Sequence, residues 1–220
     1  MNIILDSVEA RVLGSLIEKE LTTPDYYPLT LNALTNACNQ KSNRNPVMGL
    51  DEKTVVRALD SLREKRFAWQ VKTAGSRVSK YEHNIKSTAA FSPHEIGILC
   101  VLLLRGPQTV GELRSRTARL HNFNDLSEVE TTLQRLTDRE EGPFVVRLPR
   151  QTGRKEPRYA HLFCGEVAVD GEEEAPAEKA RLEVHAENER ITELEQKVTV
   201  LQAELSELKQ QFAEFIRQFE

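Results

Sequence analysis

Apolar residues recur three and four apart in several stretches of the chain, and each stretch predicts a helix with one buried face. Val8, Val12, Leu13, Leu16 and Ile17 form the first stripe, opened by Asp6 and Glu9 in the spacing of a capping box, and it predicts a helix ending near Glu20. After a loop with Pro24 and Pro28, the apolar positions Leu31, Leu34 and Cys38 predict a second helix over 30–38. Val55, Val56, Leu59 and Leu62 predict a third, starting at Asp51. Beyond Arg66 the period drops to two, with Phe67, Trp69 and Val71 alternating with Ala68, Gln70 and Lys72. Gly75 and Ser76 interrupt the run and residues 78–81 resume it, the pattern of a hairpin.

The same order returns downstream. Ser92, Pro93 and Glu95 mark a helix start and Gly106-Pro107 its end. Ile96, Ile98, Leu99, Cys100 and residues 101–104 leave that helix almost no polar face, so it is expected to be buried all round. It would lie between the two halves of the chain, between two chains, or at the centre of its own half. Thr109 opens a helix that turns Val110, Leu113, Thr117 and Leu120 inward and leaves Arg114, Arg116 and Arg119 as a basic outer face. Val129, Leu133 and Leu136 carry the next helix; Phe144 to Leu148, a turn over Gln151 to Pro157, and Arg158 to Phe163 make the second ribbon.

Three helices followed by a basic two-stranded ribbon, twice over, predict a mainly α fold with small β-hairpins (α+β): two tandem winged helix-turn-helix domains over residues 1–86 and 87–165. Residues 166–177 are acidic, with two glycines and a proline in the surrounding run, and read as a flexible linker. Over 178–220 the periodicity becomes that of a coiled-coil helix. Ile191, Leu194, Val198, Leu201, Leu205, Leu208, Phe212, Phe215 and Phe219 alternate steps of three and four. In a parallel pair Arg190 and Glu204 would meet Glu195 and Lys209 of the other helix. A homodimer is the expectation, against a trimer or a helix folded back on its own chain.

Charge divides the same way. Residues 1–165 carry 24 Lys+Arg against 19 Asp+Glu, whereas residues 166–220 carry 6 against 15. The mildly basic body is compatible with nucleic acid, although the excess is small. Cys38, Cys100 and Cys164 are odd in number and far apart, which indicates neither a disulfide framework nor a zinc ribbon. The start MNIILDSVEAR lacks a signal-peptide pattern and the longest apolar run, 96–104, is too short to span a bilayer, so a cytoplasmic protein away from the membrane is expected.

Phosphate-binding and nucleophile motifs of the GxGxxG, GxxxxGK[ST] and GxSxG types do not occur. His94-Glu95 lacks the second histidine of HExxH, because that position is Ile98. His161 and Cys164 are too few for a metal shell. No catalytic residue, metal site or cofactor is implied, and a non-enzymatic protein is expected.

Candidate contacts to double-stranded DNA fall in four places. The polar segment 38–50 offers Lys41, Asn43 and Arg44, although ordinary loop chemistry is the stronger explanation of these residues. The third helix offers Lys53, Arg57 and Arg63, with 5 basic against 4 acidic residues over 51–66. The first ribbon offers Lys72, Arg77 and Lys80, and the second Arg150, Arg154 and Lys155 beside Arg147 and Arg158. Charge that keeps a ribbon edge solvated is the alternative there. The counterpart helix over 125–141 has 2 basic against 6 acidic residues and would be repelled by phosphate.

Three long segments, TTPDYYPLTLNALTNACNQKSNRNPV, LLLRGPQTVGELRSRTARL and REEGPFVVRLPRQTGRKEPRYAHLF, closely resemble the YceH-like family of bacterial proteins, and the likeness spans about residues 5 to 165. The resemblance implies a tandem winged-helix fold and a bacterial cytoplasmic protein. It supplies no catalytic residues. Two functions follow as expectations: a dimeric DNA-associated protein or transcriptional regulator, or an adaptor for an unknown protein partner, similar in architecture to the segregation protein ScpB.

Overall fold

Among the described residues, the six α-helices of eight residues or more each start where a side chain satisfies free N–H groups, and only a four-residue α-helix lacks such a cap. The computed structural model describes residues 4–71, 78–150, 156–165 and 167. Helix α1 (Ser7–Thr22) has the full Asp6/Glu9 capping box and runs two residues past the expected end. Thr30 caps α2 (Leu31–Cys38), Asp51 caps α3 (Glu52–Glu64), and a short α4 (Ile85–Thr88) follows the first ribbon. Ser92 and Glu95 box α5 (Pro93–Arg105), Thr109 and Glu112 box α6 (Val110–Thr117), and Asp125 caps α7 (Leu126–Thr137).

The strands are short and antiparallel. Between α1 and α2 lies β1 (Leu29–Thr30), which pairs with β3 (Lys80–His83); β2 (Ala68–Val71) lies on the other side of β3, giving the order β1-β3-β2. In the later half β4 (Val145–Arg147) pairs with β5 (Tyr159–His161), and an isolated bridge from Gln108 to Tyr159 stands where β1 stands in the first half. A two-residue strand and a single bridge are below what alternation can reveal.

The entry into the first ribbon departs from the simple alternating pattern. Arg66 takes a left-handed backbone (φ 64°), and the Phe67 N–H reaches back to the Leu62 carbonyl at 2.7 Å, closing α3 in a Schellman-type turn. That turn resets the phase. Phe67 and Ala68 are both buried, while Trp69 points outward, 43% exposed.

Two helices form the centre. Helix α1 is buried from Glu9 to Glu18, not along one stripe only, because α2, α3 and α5 all pack on it. Helix α5 is buried from Glu95 to Leu104, with α1 on one side and α6, α7 and β5 on others. The Cys100 Sγ lies 3.5 Å from the Gly14 carbonyl oxygen, which places the backbones of α1 and α5 close together. Of the places expected for the apolar helix, it therefore occupies both the centre of its own half and the junction with the other. Apolar residues from before and after position 86 belong to one cluster, including Leu16, Leu59, Leu99 and Leu133. The chain divides after Val169, and every residue from 170 onward, with the heptad positions Ile191, Leu194, Val198, Leu201, Leu205, Leu208, Phe212 and Phe215, lies outside the described residues. No helix among the described residues is long and apolar enough to cross a membrane.

Candidate nucleic-acid interface

Helix α3 turns Val55, Ala58, Leu59 and Leu62 into the core, so the same periodicity sends Lys53, Arg57, Asp60 and Arg63 outward. All four are exposed. Arg63 bonds Asp60 at 3.2 Å, leaving Lys53 and Arg57 as the cations toward the helix start. At that start the Asp51 carboxyl accepts from the Thr54 N–H at 2.8 Å, and hydrogen bonding from Thr54 holds its pKa below the usual range.

The loop leading into α3 is fastened at several points. Asn39 donates to the Leu50 carbonyl and accepts from the Leu50 N–H, each at 2.7 Å, so one amide clasps both ends. The buried Arg11 guanidinium donates to the Cys38 and Pro46 carbonyls at 3.1 and 2.6 Å. The Asn45 N–H donates to the Leu104 carbonyl at 2.9 Å, tying the loop to α5.

Arg44 is a correction to the expected DNA contacts. Its side chain is fully buried, pairs with Glu18 at 2.6 Å and donates to the Ala37 carbonyl at 2.8 Å. A guanidinium so enclosed braces the loop from within and cannot reach a phosphate. Asn43 adopts a left-handed backbone (φ 59°), and its Oδ1 accepts from Arg105 of α5. Lys41 is exposed at the loop surface. The predicted trio thus separates into one structural residue, one tether and one surface cation.

In the first ribbon Lys80 is half-buried in the central strand β3, between Thr30 and Val71; Lys72 and Arg77 lie outside the described residues. In the second, Arg147 and Arg150 are exposed, and Arg154 and Lys155 lie outside the described residues. Helix α7 presents a different surface. An open groove of about 810 Å³ beside it and the start of α5 is lined by Glu130, Asp138 and Glu140 with Arg135 and Arg139.

Sequence patterning missed three charged residues that the fold brings inside or into clefts: Arg11, Glu18 and Arg105. The available signal was local. Arg11 and Glu18 sit beside Val12 and Ile17 in an apolar stretch of α1, and their neighbours are equally compatible with a solvated face. His94 also has a role beyond its helix start, with Nε2 2.9 Å from Glu128 and its ring centroid 3.9 Å from that of His121.

Residues 5–154 match the family described as "Protein of unknown function, DUF480". The chain belongs to this family. A UPF0502 protein of Geobacter sulfurreducens is 58% identical over 221 residues, covering 100% of both chains. A UPF0502 protein of Vibrio parahaemolyticus is 51% identical over 215 residues, covering 96% of this chain and 97% of that one. The DUF480 match coincides with the part of the chain that resembles the YceH-like family, and the relatives extend the likeness through the heptad tail.

Proposed function

We propose that this DUF480 chain is a non-enzymatic, cytoplasmic DNA-associated protein or transcriptional regulator with two tandem winged helices. The observation that carries this reading is topological. Each half runs helix, short strand or bridge, helix, helix, ribbon, and the strand or bridge before the second helix pairs with the returning strand of the ribbon. In such a helix-turn-helix the last helix of the three enters the major groove and the ribbon reaches the backbone. Exposed Lys53 and Arg57 on α3 and the clasped loop before it support assigning that role to the first half.

Fluorescence anisotropy of a random-sequence duplex against the full chain, titrated with salt, tests the reading. Binding is expected to weaken with salt, and changing Lys53, Arg57, Arg77 and Lys80 to Glu should reduce the salt slope by roughly three to four. Absence of binding at low salt refutes it.

The acidic groove beside α7 favours a second reading, a protein adaptor that does not use DNA. A cationic peptide partner fits that surface and phosphate does not. For either function we propose a homodimer through residues 178–220. Light scattering should show a dimer that becomes a monomer when those residues are deleted; an unchanged dimer moves the interface to the body.

A further inference from the structure

The cleft between α1, α5 and α6 has a composition that neither reading uses. It has a volume of about 200 Å³, and Arg105, Arg116 and Arg119 enter it from the end of α5 and from α6 and its C-terminal turn. Glu18 and Asn43 line it too. Arg105 lies close enough to Arg116 for their like charges to repel, and an anion in the cleft would relieve that repulsion.

The acids nearby are already engaged. Glu18 accepts from Arg44 through both carboxylate oxygens, at 3.1 and 2.6 Å, and lies 3.3 Å from Lys19. Glu112 closes the α6 capping box through its bond from the Thr109 N–H at 2.9 Å and meets Arg116 at 3.1 Å. Arg105 has the neutral Asn43 oxygen as its partner, and Arg119 makes no hydrogen bond or ion pair with any of the described residues. Burial and then the neighbouring Arg116 charge hold the Arg105 pKa below its usual value.

We propose that this cleft binds a small phosphate-bearing anion through Arg105, Arg116 and Arg119. Guanidinium groups present paired N–H donors that match phosphate oxygens, and several can share one tetrahedral dianion. The volume corresponds to roughly six or seven waters, which suits a phosphate or pyrophosphate group and is below the roughly 300 Å³ at which pockets for larger ligands begin. The site is independent of the DNA reading, since its ligand is read without nucleic acid.

Isothermal titration of the full chain with inorganic phosphate and with pyrophosphate, at constant ionic strength, tests it. One anion per chain is expected, with pyrophosphate the tighter. Arg119→Gln and Arg116→Gln should each weaken binding by about tenfold or more, as loss of a charged hydrogen-bond donor does. Arg114→Gln, on the same helix but outside the cleft, should leave the affinity unchanged. Arg119 is exposed and without an internal partner, so its variant folds; far-UV circular dichroism melts verify this for all three. Absence of saturable binding, a loss below about threefold in both cleft variants, or an equal loss in Arg114→Gln overturns the proposal.

Discussion

Gly14 of α1 faces Leu104 of α5 so closely that a Cβ on the glycine would stand 3.0 Å from the leucine Cγ and Cδ2, and 3.1 Å from the Leu103 Cβ. The contact joins a helix of the first half to a helix of the second and needs the missing side chain. Gly14→Val should destabilise the protein by about 1–3 kcal/mol through overpacking. Gly14→Ala should cost less, because better helix propensity returns roughly 0.5–1 kcal/mol. Urea denaturation followed by circular dichroism measures both, and a Gly14→Val variant as stable as the parent would contradict the close approach.

The buried Glu18–Arg44 pair predicts an asymmetric mutational response. Removing one partner leaves the other charge enclosed, so Arg44→Met or Glu18→Leu alone should cost about 3–5 kcal/mol. Arg44→Met combined with Glu18→Leu should recover part of that loss. A double-mutant cycle by chemical denaturation checks the coupling, and strictly additive losses would show that the two side chains act separately.

Acid should destabilise the fold in two separate windows. Burial pushes the His161 pKa down to about 4, and its Nδ1 has no hydrogen-bond partner, so the native state favours the neutral ring. With the folded value below the unfolded value of about 6.5, the stabilisation is complete above pH ~6.5 and is lost as pH falls toward 4, by at most about 1.4 kcal/mol per pH unit. The hydrogen bond from His83, at 2.8 Å, lowers Glu20 to about 2, and its contribution disappears only below the ordinary carboxylate range. Stability measured from pH 7 to 4 should fall less steeply in His161→Gln, and an unchanged slope would assign the loss to other groups.

The three cysteines should react unequally. Cys38 and Cys100 are buried, and burial raises both thiol pKa values; Cys164 is exposed. Desolvation and the nearby Asp6 also raise Cys164, so it should react more slowly than a free thiol. A thiol-reactive disulfide reagent at pH 8 should label Cys164 in the native protein and all three cysteines in urea. Fast labelling of Cys100 in the folded protein would show that α1 and α5 separate readily, and fast labelling of Cys38 that α2 leaves α1.

Helix positions were legible wherever a cap and a period coincided. Asp51 with Val55, Leu59 and Leu62 located α3, and Ser92, Pro93 and Glu95 located α5 to the residue, because caps and apolar spacing act over one or two turns. The exposed cations Lys53 and Arg57 of the candidate interface followed from the same period. Arg44 did not: its sequence neighbours are those of an ordinary polar loop, and the carboxylate that captures it is 26 residues away. Trp69 turned outward for a comparable reason, since the left-handed Arg66 shifts the strand phase and periodicity carries no record of φ.

The sequence by itself determined α1 to α3 and α5 to α7, the two ribbons, their repeated order and the family, all of which rest on local periodicity or on long stretches of identity; the short α4 had no such signal. The tertiary structure alone decided which charges lie inside. Burial of Arg11, Arg44 and Glu18, the tether from Arg105 to Asn43, and the meeting of Gly14 with Leu104 depend on segments distant in sequence being brought within hydrogen-bonding or van der Waals range. An enclosed charge is tolerated only when such distant partners replace the water it has lost, and that exchange has no signature in the residues on either side.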